Sequence, residues 1–332
     1  MSDKFTFHTT AEEVATAFAG EIKDKNVLIT GTSLNGLGFE TARVIARYAN
    51  LVVITGHDED RLKLAENALK EAVPTATIRR LILNLASLSA VRKAAAEVNA
   101  YPEPIHVLIN NAAAPMAAFK LTVDGLENQI TVAHVGPLLF NHLVAPKLLS
   151  SANTTTGYTP RVVIVASNAH QYCRGLDFDT VFSADATKYE GTEAYGVAKS
   201  ANLVAMLEMA KRARGRLGVY AVHPGVINTG LYRDLKAHPE LVPKLKAMGL
   251  LDENGEPSSA RVKWKTIEEG AASTVAAAFD PALNDKSGTY LTDASKDITS
   301  TIAAHASDPA RTERLWELTE EVVGERFTFS RL

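Results

Sequence analysis

Cysteine is almost absent: Cys173 is the only one in 332 residues. An intramolecular disulfide and a cysteine-based metal cluster are therefore excluded, and the usage fits a reducing compartment. The lone thiol reads as a passive loop residue. Charge of one sign is missing too. The 35 Lys and Arg against 38 Asp and Glu leave a net charge of -3, so no overall basic field gathers nucleic acid or anionic lipid. No apolar run approaches the ~20 residues of a membrane span. The N-terminus, with Asp3, Glu12 and Glu13, lacks the basic-then-apolar layout of a secretion signal, and a cytoplasmic location is expected. Patterned His/Cys/carboxylate clusters for a metal, internal repeats and low-complexity tracts are also missing.

What is present is ordinary globular usage, 46% hydrophobic and 22% charged. From Asn26 onward, short β-branched runs alternate with stretches of helical period. The runs are Val27 to Ile29, Leu51 to Ile54, Thr77 to Leu83, Val107 to Ile109, Val162 to Val165, Val219 to Val222 and Thr289 to Leu291. Between the first two, Leu37, Thr41, Val44, Ile45 and Tyr48 share one helical face, and Leu62, Ala65, Leu69 and Ala72 do so between the next two. Ser87 ahead of Leu88, Val91, Ala95 and Val98 reads as a helix N-cap. This alternation predicts an α/β fold with a mainly seven-stranded parallel sheet, doubly wound, with helices on both faces.

No composition shift marks a second domain, so residues 22–295 are expected to form a single domain, flanked by an N-terminal extension (1–21) and a C-terminal helical extension (296–332). Residues 231–265 read as a lid-like insertion, since long insertions beyond a strand's C-terminal end commonly cover ligands. Its Leu231, Leu235, Leu241, Leu245, Met248, Leu250 and Leu251 either cover an apolar substrate or anchor the insertion to the body.

The first predicted strand runs into Thr30-Gly31-Thr32-Ser33-Leu34-Asn35-Gly36-Leu37-Gly38 and then a helix. A bare glycine cluster also marks surface turns, but here the context counts. Glycine permits close backbone approach and positive φ, and the following helix N-terminus offers unpaired N–H groups to a pyrophosphate. Tyr195 and Lys199, four residues apart on a predicted helix, share a face. A free phenol titrates near ~10, and an adjacent ammonium lowers that value by stabilising the phenolate. The spacing alone decides nothing, because Tyr232 and Lys236 repeat it. Position does: Tyr195 begins Tyr-Gly-Val-Ala-Lys-Ser-Ala-Asn-Leu and follows a strand ending Val165-Ala166-Ser167, whereas Tyr232 lies in the insertion.

In order along residues 20–295, these segments resemble the short-chain dehydrogenase/reductase family, with its Rossmann-type fold. The Ser167-to-Tyr195 gap, His170 and the Ser287-Gly288-Thr289-Tyr290 segment look most like its retinol-dehydrogenase-like branch. The resemblance implies hydride transfer between NADP(H) and a small-molecule carbonyl or alcohol. Ser167 would polarise the carbonyl, Tyr195 would transfer the proton, and Lys199 would tune Tyr195 and bind the nicotinamide ribose. It implies cofactor contacts from Gly31, Ser33, Asn35, Gly36, Leu37 and Gly38. Asn35 stands where many members carry glycine, and asparagine tolerates the left-handed region. Asn84 and Leu85 fall beside the adenine, where Asp-Leu is usual. Asn111, Ala112 and Ala113 line the adenosine side in an Asn-Asn-Ala-Gly-like segment. Pro224, Gly225, Val226 and Thr229 would wrap the nicotinamide end. At the end of the second strand Gly56 falls where NAD-preferring members carry Asp; His57 and Arg61 would face the 2′-phosphate of NADP, while Asp58 leaves NAD open. His170 either touches substrate or is satisfied by backbone. Family members often form homo-oligomers through the helices after strands four and five. The C-terminal stretch, with Leu315, Leu318 and Val322 at helical spacing, could cover that surface.

One departure stands out. Where most active members carry Asn in the helix after strand four, holding a water that links the lysine to solvent, this chain has Ala133 within Val132-Ala133-His134-Val135-Gly136. Alanine's side chain neither donates nor accepts. A cofactor-binding sensor with little dehydrogenase activity therefore stays open, as does an epimerase or lyase on the same fold.

Overall fold

The computed structural model describes residues 5–116, 118–154, 157–183, 185–227, 239 and 242–329. Strands covered on both faces must be apolar at successive positions, and the β-branched runs accordingly form β1 (Asn26–Ile29), β2 (Leu51–Gly56), β4 (Val107–Asn110), β5 (Arg161–Val165), β6 (Gly218–Val222) and β9 (Thr289–Thr292), while β3 (Ile78–Ile82), with half-buried Arg79 and Arg80, forms the edge beside β2. These seven are parallel, in the order β9-β6-β5-β4-β1-β2-β3. β10 (Lys296–Asp297) pairs antiparallel with β9 and makes the sheet eight-stranded. A separate two-stranded ribbon joins β7 (Val226–Ile227) to β8 (Trp264–Lys265).

The helices are α1 (Ala11–Ala17), α2 (Ala19–Ile22), α3 (Leu37–Ala46), α4 (Glu59–Ala72), α5 (Leu88–Asn99), α6 (Asn128–Ile130), α7 (Gly136–Thr154), α8 (Gly191–Ala213), α9 (Val242–Ala247), α10 (Ile267–Phe279), α11 (Ala304–Ser307) and α12 (Pro309–Val323). A π-helical turn over Thr131–Val135 joins α6 to α7. Ser87 caps α5 as expected, accepting from Ala90 N. Alternate strand residues feed two cores. Leu28, Leu108, Val162, Ile164 and Val219 pack with α5, α7 and α8. Val27, Ile29, Val107, Val163 and Val222 pack with α3, α4 and α10.

The chain leaves β1 toward β2 and β3, then returns to β4 on the other side of β1. This reversal opens a crevice at the strands' C-terminal ends, the usual ligand position in such sheets. The N-terminal segment is tied to the sheet's outer layer: a capping box between Thr10 and Glu13 starts α1, which packs on α3 and α10. α12 lies against α8, with Trp316 buried and Thr312 Oγ1 donating to Glu208 Oε1 at 2.9 Å. Among the described residues no helix is long and apolar enough to cross a membrane, and no cluster of three or more His, Cys, Asp or Glu side chains could hold a metal.

Candidate active site

The turn after β1 is held by its neighbour strand. Gly31 takes φ 69°, and a Cβ there would lie 2.8 Å from the Ala112 Cα. Across that close contact Thr30 Oγ1 accepts from Asn111 N and Ala112 N, both at 3.0 Å. Asn111 Nδ2 in turn donates to the carbonyls of Thr30 and Gly31, both at 2.9 Å. Gly38 sits just as tightly, since its Cβ would meet Asn111 Nδ2 at 2.4 Å. Asn35 takes the left-handed φ of 58°, the conformation its residue type tolerates. Ser33, Leu34 and Asn35 are exposed, Gly36 is the N-cap of α3, and Leu37 opens the helix. The N–H groups of this helix start thus face a crevice lined on its far side by Asn111, Ala112 and the exposed Ala113.

At the rim beyond β2, His57 and Arg61 are exposed. Asp58 is engaged as the N-cap of α4, its Oδ1 accepting from Arg61 N at 2.9 Å. After β3, Asn84 Oδ1 accepts from Ala86 N at 3.0 Å, and the Leu85 side chain is buried in the core, so only its backbone can face a ligand. Pro224 and Gly225 follow β6, and Val226 begins the ribbon; Thr229 lies outside the described residues, as do Tyr232 and Lys236.

Ser167, Tyr195 and Lys199 are brought together. Ser167, just past β5, caps a short 3-10 turn (Asn168–Gln171) by accepting from Ala169 N at 3.2 Å. Its hydroxyl also stands close enough to the Tyr195 phenol to favour the ionised form. Tyr195 lies in the first turns of α8, and Lys199 follows one turn later with its ammonium 5.6 Å from the phenol ring centroid. Burial penalises both ionised forms. It pushes the Tyr195 phenol up to about 12, with Ser167 pulling it back, and brings the Lys199 ammonium down to about 8. Lys199 Nζ donates to Val165 O at 2.8 Å and to Asn202 Oδ1 at 3.2 Å.

His170 is buried, with Nδ1 2.7 Å from Ser167 O and Nε2 3.4 Å from Thr301 O. It is satisfied by backbone, and it fixes the segment carrying Ser167.

Above Tyr195 sits a third apolar cluster. Met116, Leu245, Leu250 and Leu251 are buried and pack with Tyr195, Val226, Val242 and Val262. Tyr195 thus packs against the cluster that the leucines of α9 and its following turn form, while Met248 stays 40% exposed. Leu231, Leu235 and Leu241 fall outside the described residues.

Four participants escaped sequence reading. Thr30 ties the β1 turn to the Asn111 loop, and Met116 forms part of the cover. Lys265 ion-pairs with Asp293 at 2.7 Å behind Gly225. Asn202 was signalled only by its position three residues after Lys199, on the same helical face.

Comparison with known proteins agrees with this architecture. A family model described as short chain dehydrogenase matches residues 25–176. The chain is 31% identical to the short-chain dehydrogenase TIC 32 A, chloroplastic, of Brassica napus over 321 residues, covering 95% of this chain and 93% of that one. It is 30% identical to human retinol dehydrogenase 14 over 322 residues, covering 92% and 88%. A crystal structure of an uncharacterized protein from Mycobacterium Paratuberculosis superposes with a TM-score of 0.67 at 25% identity, covering 93% of this chain and 98% of that one. Matched along nearly its whole length by such relatives and built on their fold, the chain belongs to the short-chain dehydrogenase/reductase family of oxidoreductases.

Proposed function

We propose that the protein is an NADP(H)-dependent oxidoreductase acting on an apolar carbonyl or alcohol, with Tyr195 as the proton donor or acceptor. The observation that carries this reading is the Tyr195 phenol: beside Ser167, one helical turn from the buried Lys199 ammonium, and packed against the apolar cluster of Met116, Leu245, Leu250 and Leu251.

The crevice suits a dinucleotide on its own evidence. Gly31 and Gly38 keep the backbone flat where a Cβ would meet the neighbouring loop, and the α3 N-terminus is left open to an anion. Gly31, Ser33, Asn35, Gly36, Leu37 and Gly38 would hold the pyrophosphate. Asn84, the Leu85 backbone, Asn111, Ala112 and Ala113 would line the adenosine side, and Pro224, Gly225 and Val226 the nicotinamide end. Exposed His57 and Arg61, beside an Asp58 already committed to capping α4, favour the 2′-phosphate of NADP over the free ribose of NAD. When bound, the cofactor supplies the hydride.

The chain supplies the rest. Ser167 donates to the substrate oxygen and holds it against the phenol. Tyr195 passes its proton to that oxygen, or takes one from an alcohol, and a phenolate so formed is stabilised by Lys199 while that residue stays protonated. The apolar roof excludes water and favours a hydrophobic substrate. The expected cytoplasmic location rests on the N-terminal sequence pattern and the lack of a long apolar run, whereas the Brassica napus relative is chloroplastic by name. The sensor reading rests on Ala133 alone, and no feature of the site adds to it.

The test is turnover of NADPH and NADH, side by side, across apolar and polar aldehydes and ketones. NADPH oxidation with an apolar member is the expected result. Cofactor binding without turnover across the whole panel would overturn the proposal.

A further inference from the structure

The ammonium of Lys199 is almost fully buried, at 3% exposure, and must be held by acceptors. Among the described residues it has two, the Val165 carbonyl and Asn202 Oδ1. Asn202 is itself 5% exposed, and its amide does not end there: Nδ2 donates to the Ala133 carbonyl at 2.6 Å. Ala133 lies inside the π-helical turn Thr131–Val135, where the regular i to i+4 ladder is interrupted and a carbonyl can turn aside. The connection Lys199 Nζ, Asn202 Oδ1, Asn202 Nδ2, Ala133 O therefore runs unbroken from α8 to the π turn. It lies beside the position where the resemblance to the family expected an asparagine with a bound water, and where this chain has a methyl group.

We propose that Asn202 is the positioning residue for Lys199: its side-chain amide replaces the expected asparagine and water, clamping the ammonium to the Ala133 carbonyl. The amide orientation is fixed by both neighbours, since the ammonium only donates and the carbonyl only accepts. The clamp uses one ammonium proton and Val165 uses a second. The third is left for Tyr195 or the bound cofactor, which lets Lys199 tune the phenol without a water at Ala133. The inference rests on the proposed role of Lys199.

The titratable groups on elements packed around this point are few. Tyr195 is on the same helix, His134 comes from the π turn, His170 from the 3-10 turn after β5, His305 from α11, and Tyr290 from β9 beyond Tyr195. None of them hydrogen-bonds to Lys199. His134 is held neutral, its pKa down to about 4 by burial. Lys199 should therefore report chiefly on burial and on Asn202.

The experiment follows the Lys199 ε-carbon by 13C NMR in the cofactor-free protein, assigned with Lys199→Met, for wild type, Asn202→Asp and Asn202→Ala. Asp keeps an acceptor and adds a charge, so the Lys199 pKa should rise by about 1–3 units. Ala removes the acceptor of the charged form, so the pKa should fall. In the enzyme assay kcat should drop about 10- to 100-fold in Asn202→Ala through loss of orientation, while the NADPH dissociation constant changes little. Asn202→Ser, smaller but still polar, replaces Asn202→Ala should that variant not fold, and should give an intermediate loss. A merely structural Asn202 would lower the melting temperature and leave the Lys199 titration in place. Identical titration in all folded variants overturns the proposal, and because it is read without turnover, that failure is distinct from failure of the oxidoreductase reading.

Discussion

Gly31→Ala probes the contact on which the crevice is built. At φ 69° an alanine costs about 1–2 kcal/mol relative to glycine. The new methyl would also stand 2.8 Å from the Ala112 Cα and 2.9 Å from its Cβ, against the roughly 3.5–4.0 Å of an ordinary carbon contact. Relief requires the β4 loop to retreat by most of an ångström. That motion strains four hydrogen bonds, from Asn111 N and Ala112 N to Thr30 Oγ1 and from Asn111 Nδ2 to two carbonyls. Loss of two of them at about 1 kcal/mol each brings the total to about 3–4 kcal/mol. Gly125→Ala is the matched control: φ is 75° there, but nothing lies within 4 Å of the added Cβ, so only the backbone cost of about 1–2 kcal/mol applies. Urea denaturation followed by circular dichroism and by the fluorescence of Trp264 and Trp316 should rank Gly31→Ala well below Gly125→Ala. NADPH affinity, read by fluorescence, should fall only in the former. Equal stability of the two variants, with NADPH affinity intact in both, would refute the reasoning.

With Lys199 at about 8 and Tyr195 at about 12, kcat/KM for carbonyl reduction should be level below pH 8. It should fall above that pH as the ammonium deprotonates, while the phenol remains protonated; a profile that instead rises through pH 8 contradicts the assignment. Leu245→Ala should raise KM for an apolar aldehyde about tenfold, the equivalent of ~1.4 kcal/mol of lost apolar contact, and leave KM for the cofactor unchanged. The buried His134 ring lies with Nδ1 3.1 Å from Ala201 O and Nε2 2.8 Å from Thr319 Oγ1, whose hydroxyl donates to Leu315 O at 2.7 Å. Thr319→Val should cost about 1–3 kcal/mol by leaving a buried His134 ring nitrogen without its hydroxyl partner, visible as a lower thermal midpoint.

Much of the fold was legible because burial on both sheet faces leaves an unmistakable mark. Val27 to Ile29 and Val162 to Val165 are apolar at every position, and only a doubly covered strand requires that. The edge strand β10 left no such mark: Lys296 and Asp297 are both exposed, and its pairing with β9 is short. β7 and β8 are two residues each and exist through their partner rather than through pattern. A capping box between Thr10 and Glu13 starts α1, a helix within the segment read only as an N-terminal extension. At the site, Asn35 could be read because left-handed φ restricts residue type. Asn202 could not, because what matters there is which carbonyl the amide reaches, and the π turn presenting Ala133 O has no sequence signature. The lid leucines were ambiguous for a related reason: their sequence shows that Leu245 is apolar but not that its cluster packs with Tyr195.

The central claim is that Tyr195 moves the proton at a site otherwise able to bind cofactor and substrate. Steady-state reduction of an apolar carbonyl by wild type and Tyr195→Phe, with the NADPH dissociation constant measured on both, tests it most directly. The account predicts a fall in kcat of about 10²–10⁴-fold with NADPH affinity unchanged; turnover by Tyr195→Phe within a few-fold of wild type would contradict it.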